Sequence, residues 1–280
     1  MKFLRFGAEG AERPGAIDKT RTLRDISSIV DDITPRTIAE GQLARLSGVD
    51  LERLPYVPMG TRIGPPIAWT GNFIGVGLNY ADHAAEIGQA LPKEPILFSK
   101  APNCICGPND PIRVPPGSVK LDWEVELAIV IGRRAYNIPE SAAMSAILGF
   151  TICNDLSERA WQLEGTGQWM KGKCAPTFGP IGPWLITPDE AGDIDNLDMF
   201  LDVDGERMQT GNTKTLVFKV PFLVSYISRF MQLEPGDIIT TGTPPGVGMG
   251  KKPPRFLRPG QEVRLGVGGL GEQRAQTIAG

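Results

Sequence analysis

The chain has 280 residues, enough for one large domain or a large domain with a small appendage. Hydrophobic residues make up 41% and charged residues 22%, ordinary proportions that support a sizeable core and argue against disorder. Lysine and arginine total 29 against 32 acids, and a net charge of -3 gives no overall electrostatic footprint for nucleic acid or for an anionic membrane, leaving only local basic patches open.

The N-terminus, Met1 to Phe6, alternates apolar and basic residues and lacks the apolar core of a signal peptide. No stretch reaches the ~18 consecutive apolar residues of a spanning helix, so the cytoplasm is the expected location. The 34 glycines and 25 prolines punctuate short apolar runs, a pattern of many short strands joined by turns. Phe3 to Phe6, Gly15 to Asp18 and Leu23 to Asp25 predict a small meander. Thr34 to Leu46 predicts a helix, with Thr34 as cap and Pro35 in the first turn. The proline-rich stretch Pro55 to Pro66 reads as a linker, placing a boundary between residues 1–66 and 67–280. Beyond it, Phe73 to Gly77 predicts a strand, Tyr80 to Ile87 a short helix, and Pro95 to Lys100 a second strand. Trp123 to Ile131 is the clearest strand in the chain. Ser141 to Phe150 predicts a helix capped by Ser141, and Val220 to Met231 a second one ending before Pro235-Gly236-Asp237. Ile238 to Thr241 and Glu262 to Val267 are late strands. There is no internal repeat. The mixture is α+β, mainly β.

The four cysteines, Cys104, Cys106, Cys153 and Cys174, lack the spacing of the common zinc motifs and read as reduced thiols. His83 is the sole histidine. A histidine-rich zinc or iron site within one chain is therefore excluded, as is an acid–base pair of two histidines.

Alternate residues of a strand share a face, so Glu124 and Glu126 point the same way, followed on that face by apolar Ala128 and Val130. Two like charges on a partly apolar face repel and are costly to desolvate, and a divalent cation removes both problems. A solvated strand end is the plainer alternative for the pair alone. Asp155 follows an apolar run and precedes a helical-looking stretch. Alone it reads as a helix cap. With Glu124 and Glu126 it would complete an all-carboxylate site suited to a hard ion: Mg2+ first, then Mn2+ or Ca2+. His83 and Glu86 are three apart and so neighbours on a helix. A carboxylate beside an imidazole orients it and raises its basicity, which suits water activation. A surface His–Glu pair is the alternative.

Gly75-Val76-Gly77 lacks the third glycine of a dinucleotide fingerprint. Gly242 to Gly248 lacks the Gly-Lys-Ser/Thr ending of a phosphate loop and reads as a rigid turn, in which Thr243 could offer a hydroxyl to a carboxylate. Lys173, ahead of Phe178 to Pro183, would stabilise an enolate if it pointed into a metal site.

These pieces occur in an order that resembles the fumarylacetoacetate hydrolase family, which includes acylpyruvate hydrolases and bacterial sugar-acid diketo hydrolases. The resemblance runs from about Asn72 to the C-terminus. It is carried by Gly77 to Tyr80 with Asp82-His83, Pro95 to Lys100, Glu124-Val125-Glu126, Asn154-Asp155, Lys173, Phe178 to Pro183, Pro235 to Asp237 and Thr241 to Pro244. One departure is Ala175-Pro176, where many relatives carry an aspartate.

The resemblance implies a mixed β-roll catalytic domain over residues 67–280, a small N-terminal cap over 1–66, and a homodimer. It implies that Glu124, Glu126 and Asp155 hold the metal. His83 and Glu86 would activate water, Lys173 would be the active-site lysine, and Arg159, Gln162 and Thr243 would bind substrate. The expected reaction is hydrolytic C–C cleavage of a small 2,4-dioxo acid to pyruvate and a carboxylic acid. A 2,4-dioxo-3-deoxy-rhamnonate or -fuconate is the tail suggested by the longer bacterial members. Isomerisation, decarboxylation or hydration of a 2-oxo acid on the same metal, or ureidoglycolate cleavage, are the alternatives. A metabolite-binding protein without catalysis is a further one, since fold alone does not fix function.

Overall fold

The computed structural model describes residues 1–86 and 88–280. Its organising element is the strand Val125–Ile131, buried on both faces. A run of aliphatic and β-branched side chains, polar only at Glu126, suits a central strand covered on both sides. It pairs antiparallel with Ile147–Asn154 on one flank and Ile238–Thr240 on the other. Beyond Ile238–Thr240 lie Phe73–Gly77, parallel to it, and then Ile96–Lys100. On the opposite flank Ile147–Asn154 pairs with Gly179–Ile186, which in turn pairs with Lys2–Phe6.

Strands from residues 1–66, the segment expected as a cap and linker, add to this sheet. Lys2–Phe6, Arg13–Ile17 and Leu23–Asp25 form the expected meander at its edge, and Ile63–Gly64 adds to Lys2–Phe6. Among the described residues the sheet has 11 strands. A second sheet of 5 strands runs Glu206–Asn212, Asp198–Val203, Glu262–Val267, Gly271–Ala279 and Ile112–Val114. One buried core joins Phe73, Val125 and Ile152 of the first sheet to Leu201 and Leu265 of the second. Buried Gln273 ties the layers further, donating to the Ile152 carbonyl at 3.0 Å. The architecture is the expected mixed β-roll of an α+β, mainly β, protein. No helix among the described residues is long and apolar enough to cross a membrane.

Several elements differ from expectation. The helix predicted over Ser141 to Phe150 stops at Ala146, and Ile147–Asn154 is a strand. The β-branched run there finds a partner beside the central strand, and that pairing overrides the helical pattern. Ser141 is not the cap; that position is Pro139, which makes no side-chain cap bond. The helix predicted over Thr34 to Leu46 is capped by Thr34 as expected but ends at Ala39, where Gly41 (φ 67) turns the chain into a 3₁₀ segment over Gln42–Leu46. The second late helix ends at Ser228 rather than Met231. The short helix spans Ala81–Glu86, and Ile87 lies outside the described residues. The hairpin of Asp198–Val203 and Glu206–Asn212 was not expected. Its turn, Asp204-Gly205, has positive φ at both residues (52 and 79), the conformation that Asp-Gly favours between twisted strands.

Candidate active site

Three acids converge because of how the central strand begins. The strand starts at Val125, two residues later than the expected Trp123, so Trp123 and Glu124 lie outside the ladder. Two bonds hold this irregular backbone. The Glu124 N–H donates to Asn154 Oδ1 at 3.1 Å, and the Asp155 N–H donates to the Glu124 carbonyl at 2.9 Å. Val125 pairs with Asn154, which sets Asp155 opposite Glu124. One oxygen each from Glu124, Glu126 and Asp155 lies within 4.8 Å of the others, and all three residues are buried.

Buried cations surround them. Lys173 Nζ lies 2.7 Å from Glu124 Oε2 and 2.5 Å from Asp155 Oδ2. Arg159 donates to Glu124 Oε1 at 2.6 Å and to Asp122 Oδ2 at 2.9 Å. Fully buried Lys100 donates to Asp155 Oδ1 at 2.6 Å and to the Lys173 and Phe178 carbonyls at 2.6 and 3.1 Å. Burial alone would raise the Glu124 carboxyl, but Arg159 and Lys173 outweigh it and hold Glu124 well below the usual range. Glu126 is the exception. Its described hydrogen bond comes from the Gly242 N–H, at 2.7 Å. Burial, with the charges of Asp155 and Glu124 adding to it, pushes its carboxyl well above the ordinary value, and Lys173 and that N–H offset this only in part.

Four buried carboxylates, Asp122, Glu124, Glu126 and Asp155, thus face three buried cations, Lys100, Arg159 and Lys173. The cluster is short of positive charge at Glu126, beside two other acids. A converging set of carboxylate oxygens, with no imidazole or thiolate among them, fits a hard divalent ion.

His83 and Glu86 meet, as their spacing predicts. His83 Nδ1 lies 2.9 Å from Glu86 Oε2, and Glu86 Oε1 accepts from the Gly246 N–H at 2.9 Å. In the tautomer that donates Nδ1–H to the carboxylate, the Nε2 lone pair would be free to accept a proton. Gly246 must be glycine: its φ is +106, and a Cβ would stand 2.0 Å from the Met208 carbonyl oxygen. Thr243 is held through its hydroxyl, which donates to the Val125 carbonyl at 2.9 Å and accepts from Gln209 Nε2 at 2.8 Å. Gln162 accepts from Arg159 at 3.0 Å.

A cleft of about 400 Å³ gathers eight of the nine expected side chains at its wall, and the ninth, Glu86, sits behind His83. Leu78, also in the wall, has a left-handed backbone (φ 53), an uncommon conformation for a non-glycine residue. Three residues of the network were not singled out by sequence. Asp122 binds Arg159 and the Gly248 and Met249 N–H groups, tying the ligand cluster to the glycine-rich loop. Its place two residues before Glu124 was the available signal. Lys100 and Gln209 act through partners distant in sequence, which no local pattern shows.

A family model described as fumarylacetoacetate (FAA) hydrolase C-terminal matches residues 72–278. The chain is 54% identical over 278 residues to a protein of Burkholderia orbicola provisionally named a hydrolase, with 99% of each covered. Among solved structures it is similar to a fumarylacetoacetate hydrolase from psychrophilic Exiguobacterium antarcticum, at 35% identity and a TM-score of 0.90 over 100% of both chains. It is similar to a 5-carboxymethyl-2-hydroxymuconate delta-isomerase from Mycobacterium smegmatis, at 31% identity and 0.80 over 100% of this chain and 99% of that one. It is also similar to a maleylpyruvate hydrolase from Sphingobium sp. SYK-6, solved with manganese(II) and pyruvate, at 28% identity and 0.81 over 100% of both.

Proposed function

Because the chain belongs to the fumarylacetoacetate hydrolase family, whose relatives include hydrolases and isomerases, we propose that it hydrolyses a carbon–carbon bond of a 2,4-dioxo acid, releasing pyruvate and a carboxylic acid. The observation that carries this reading is the meeting, in one cleft, of a buried three-carboxylate cluster with an oriented His–Glu pair. The pyruvate and manganese in the solved maleylpyruvate hydrolase support it.

Glu124, Glu126 and Asp155 would hold the ion, with Mg2+ or Mn2+ the natural occupants of such a donor set. When bound, the ion would anchor the 2-oxo acid end and act as a Lewis acid toward the developing enolate. His83 Nε2 takes a proton from water, with Glu86 stabilising the imidazolium. The water oxygen bonds to C4, and the C3–C4 bond breaks with its electron pair passing to the three-carbon fragment. Lys173 places an ammonium beside that fragment, where positive charge stabilises the enolate. A proton delivered to C3 yields pyruvate. Arg159, fixed by Asp122 and Gln162, secures Glu124 and adds positive charge at the acid end. Thr243, fixed by Gln209, presents its edge of the glycine-rich turn to the same end.

Incubation of the protein with a panel of 2,4-dioxo acids, with Mg2+ or Mn2+ and with chelator, tests the reading. Metal-dependent pyruvate release from at least one member is expected. Isomerisation is the second reading, favoured by the similarity to the muconate isomerase. NMR of the products separates the two, because an isomerase returns one product with all its carbons, and that result would overturn hydrolysis.

A further inference from the structure

Resting on that reading of the cleft, we infer that Phe98 and Trp169, seated on Gly75 and Gly77, form the subsite for the substrate's tail beyond C4, and select an uncharged, apolar tail, aryl or alkyl, over a carboxylate or a polyol.

The geometry begins with the Gly75-Val76-Gly77 strand. Gly75 pairs directly with Phe98 of the neighbouring strand. A Cβ on Gly75 would stand 2.1 Å from the Phe98 ring, and one on Gly77 would stand 2.6 Å from the Trp169 indole. Residues 75 and 77 share a strand face, so two glycines two apart make a trough that receives two aromatic rings side by side. The rings meet at a centroid distance of 5.5 Å and an angle of 55°, within the favourable range for aromatic pairs. This gives a physical reason for a glycine pair that binds no dinucleotide.

The wall continues outward from the chemical centre. Lys173 Nζ lies 4.8 Å from the Phe98 ring centroid, so Phe98 adjoins the carboxylate cluster, and Trp169 packs against Phe98. Both rings line the cleft and are only half-buried, leaving apolar surface for an occupant to cover. Leu163 follows Gln162 on the same short helix, lines the cleft, and is 44% exposed, which puts an aliphatic side chain at the rim.

Charge decides against an acidic tail. Arg159 and Lys173, the cleft's cations, are both engaged by Asp122, Glu124 and Asp155, and His83 by Glu86. Among the described residues no further cation lines the cleft to receive a second carboxylate. A carboxylate against the two rings would be desolvated without a partner. A polyol meets the same obstacle. The Thr243 hydroxyl is engaged by Gln209 and the Val125 carbonyl, and the Gln162 oxygen by Arg159, which leaves Gln162 Nε2 and Gln89 as the uncommitted amides among the described lining residues, few partners for several hydroxyls.

Calorimetry with Mn2+ and three 2-oxo acids that lack a cleavable C4 carbonyl tests this apart from turnover. The probes are 4-phenyl-2-oxobutanoate, 2-oxoglutarate and 2-oxo-3-deoxygluconate, with pyruvate as the tail-less reference. The phenyl compound should bind at least ~10-fold more tightly than either polar probe, the scale of selectivity an apolar pocket provides. Trp169→Ala should collapse that ratio, and Trp169→Phe, which keeps a ring on Gly77, should retain most of it. Equal affinities, a preference for 2-oxoglutarate, or a phenyl preference that survives Trp169→Ala would overturn the tail subsite while pyruvate binding leaves the 2-oxo acid reading standing. Failure of all four compounds to bind would overturn both.

Discussion

The two ends of the cleft are built on different physics. At the inner end, Glu124, Asp155, Lys100, Lys173 and Arg159 form a buried lattice of charge-assisted hydrogen bonds in which most groups have two or more partners. At the mouth, Phe98 and Trp169 meet ring against ring and rest on two glycines, and Leu163 lines the same cleft. A buried ion network loses its balance when any member is removed, whereas an apolar wall loses only the area of the atoms deleted. Changes at the inner end should therefore be all-or-none, and changes at the mouth graded and dependent on substrate.

The sharpest way to break the contrast is Asp155→Ala. It removes a ligand and leaves Lys100, which is 0% exposed, without its carboxylate. Stripping one partner from a buried pair costs about 3–5 kcal/mol, so the denaturation midpoint should fall together with activity. A variant as stable as the parent would show that the lattice does not act as a unit. His83→Gln comes next. It deletes the base without disturbing the carboxylates, and kcat should drop by about 10²–10⁴ with KM little changed. Unaltered kcat would remove His83 from the mechanism. Gln209→Ala touches no proposed ligand side chain but releases the Thr243 hydroxyl, the Pro244 carbonyl and the Val125 N–H, and a loss of about 10–100-fold in kcat/KM, with Mn2+ affinity held, is expected of such supporting contacts. Loss of Mn2+ affinity instead would move Gln209 into the ion's own support.

The smallest effect concerns pH. Without an ion, Glu126 is held above the ordinary carboxylate range by burial and by its acidic neighbours, so it keeps its proton at pH values where a free glutamate has lost it. The ion requires the carboxylate form, so binding releases that proton and affinity falls as pH is lowered through the raised value. Calorimetry in buffers of different ionisation enthalpy measures the protons released. None released near neutrality would mean that Glu126 is already ionised there.

Much of the site was legible because its chemistry is anomalous for its surroundings. Two acids entering an apolar strand are a chemical contrast, although that pair, the acid after an apolar run and the histidine three residues from a glutamate each have a plainer reading alone, as a solvated strand end, a helix cap and a surface pair. The resemblance then linked them in order. The supporting residues lacked any such contrast. Lys100 ends an ordinary strand, and its role comes from Asp155 and two carbonyls that the fold brings to it. Gln209 lies in a hairpin whose Asp204-Gly205 turn carries a local signal, yet the glutamine's contact with Thr243 depends on how the two sheets stack. Ile147 to Phe150 shows the limit from the other side. Its apolar spacing is compatible with a helix, and only the vacant edge of Val125–Ile131 makes it a strand.

The account stands on three acids acting together on one ion, and a calorimetric titration of Mn2+ into the parent chain and into Glu126→Gln tests it most directly. Glu126 is the right probe because it has no cation of its own to strand. One Mn2+ per chain in the parent, weakened at least ~10-fold in the variant with the melting temperature kept or raised, is the predicted result. No binding by the parent, or equal affinity in both proteins, would contradict it.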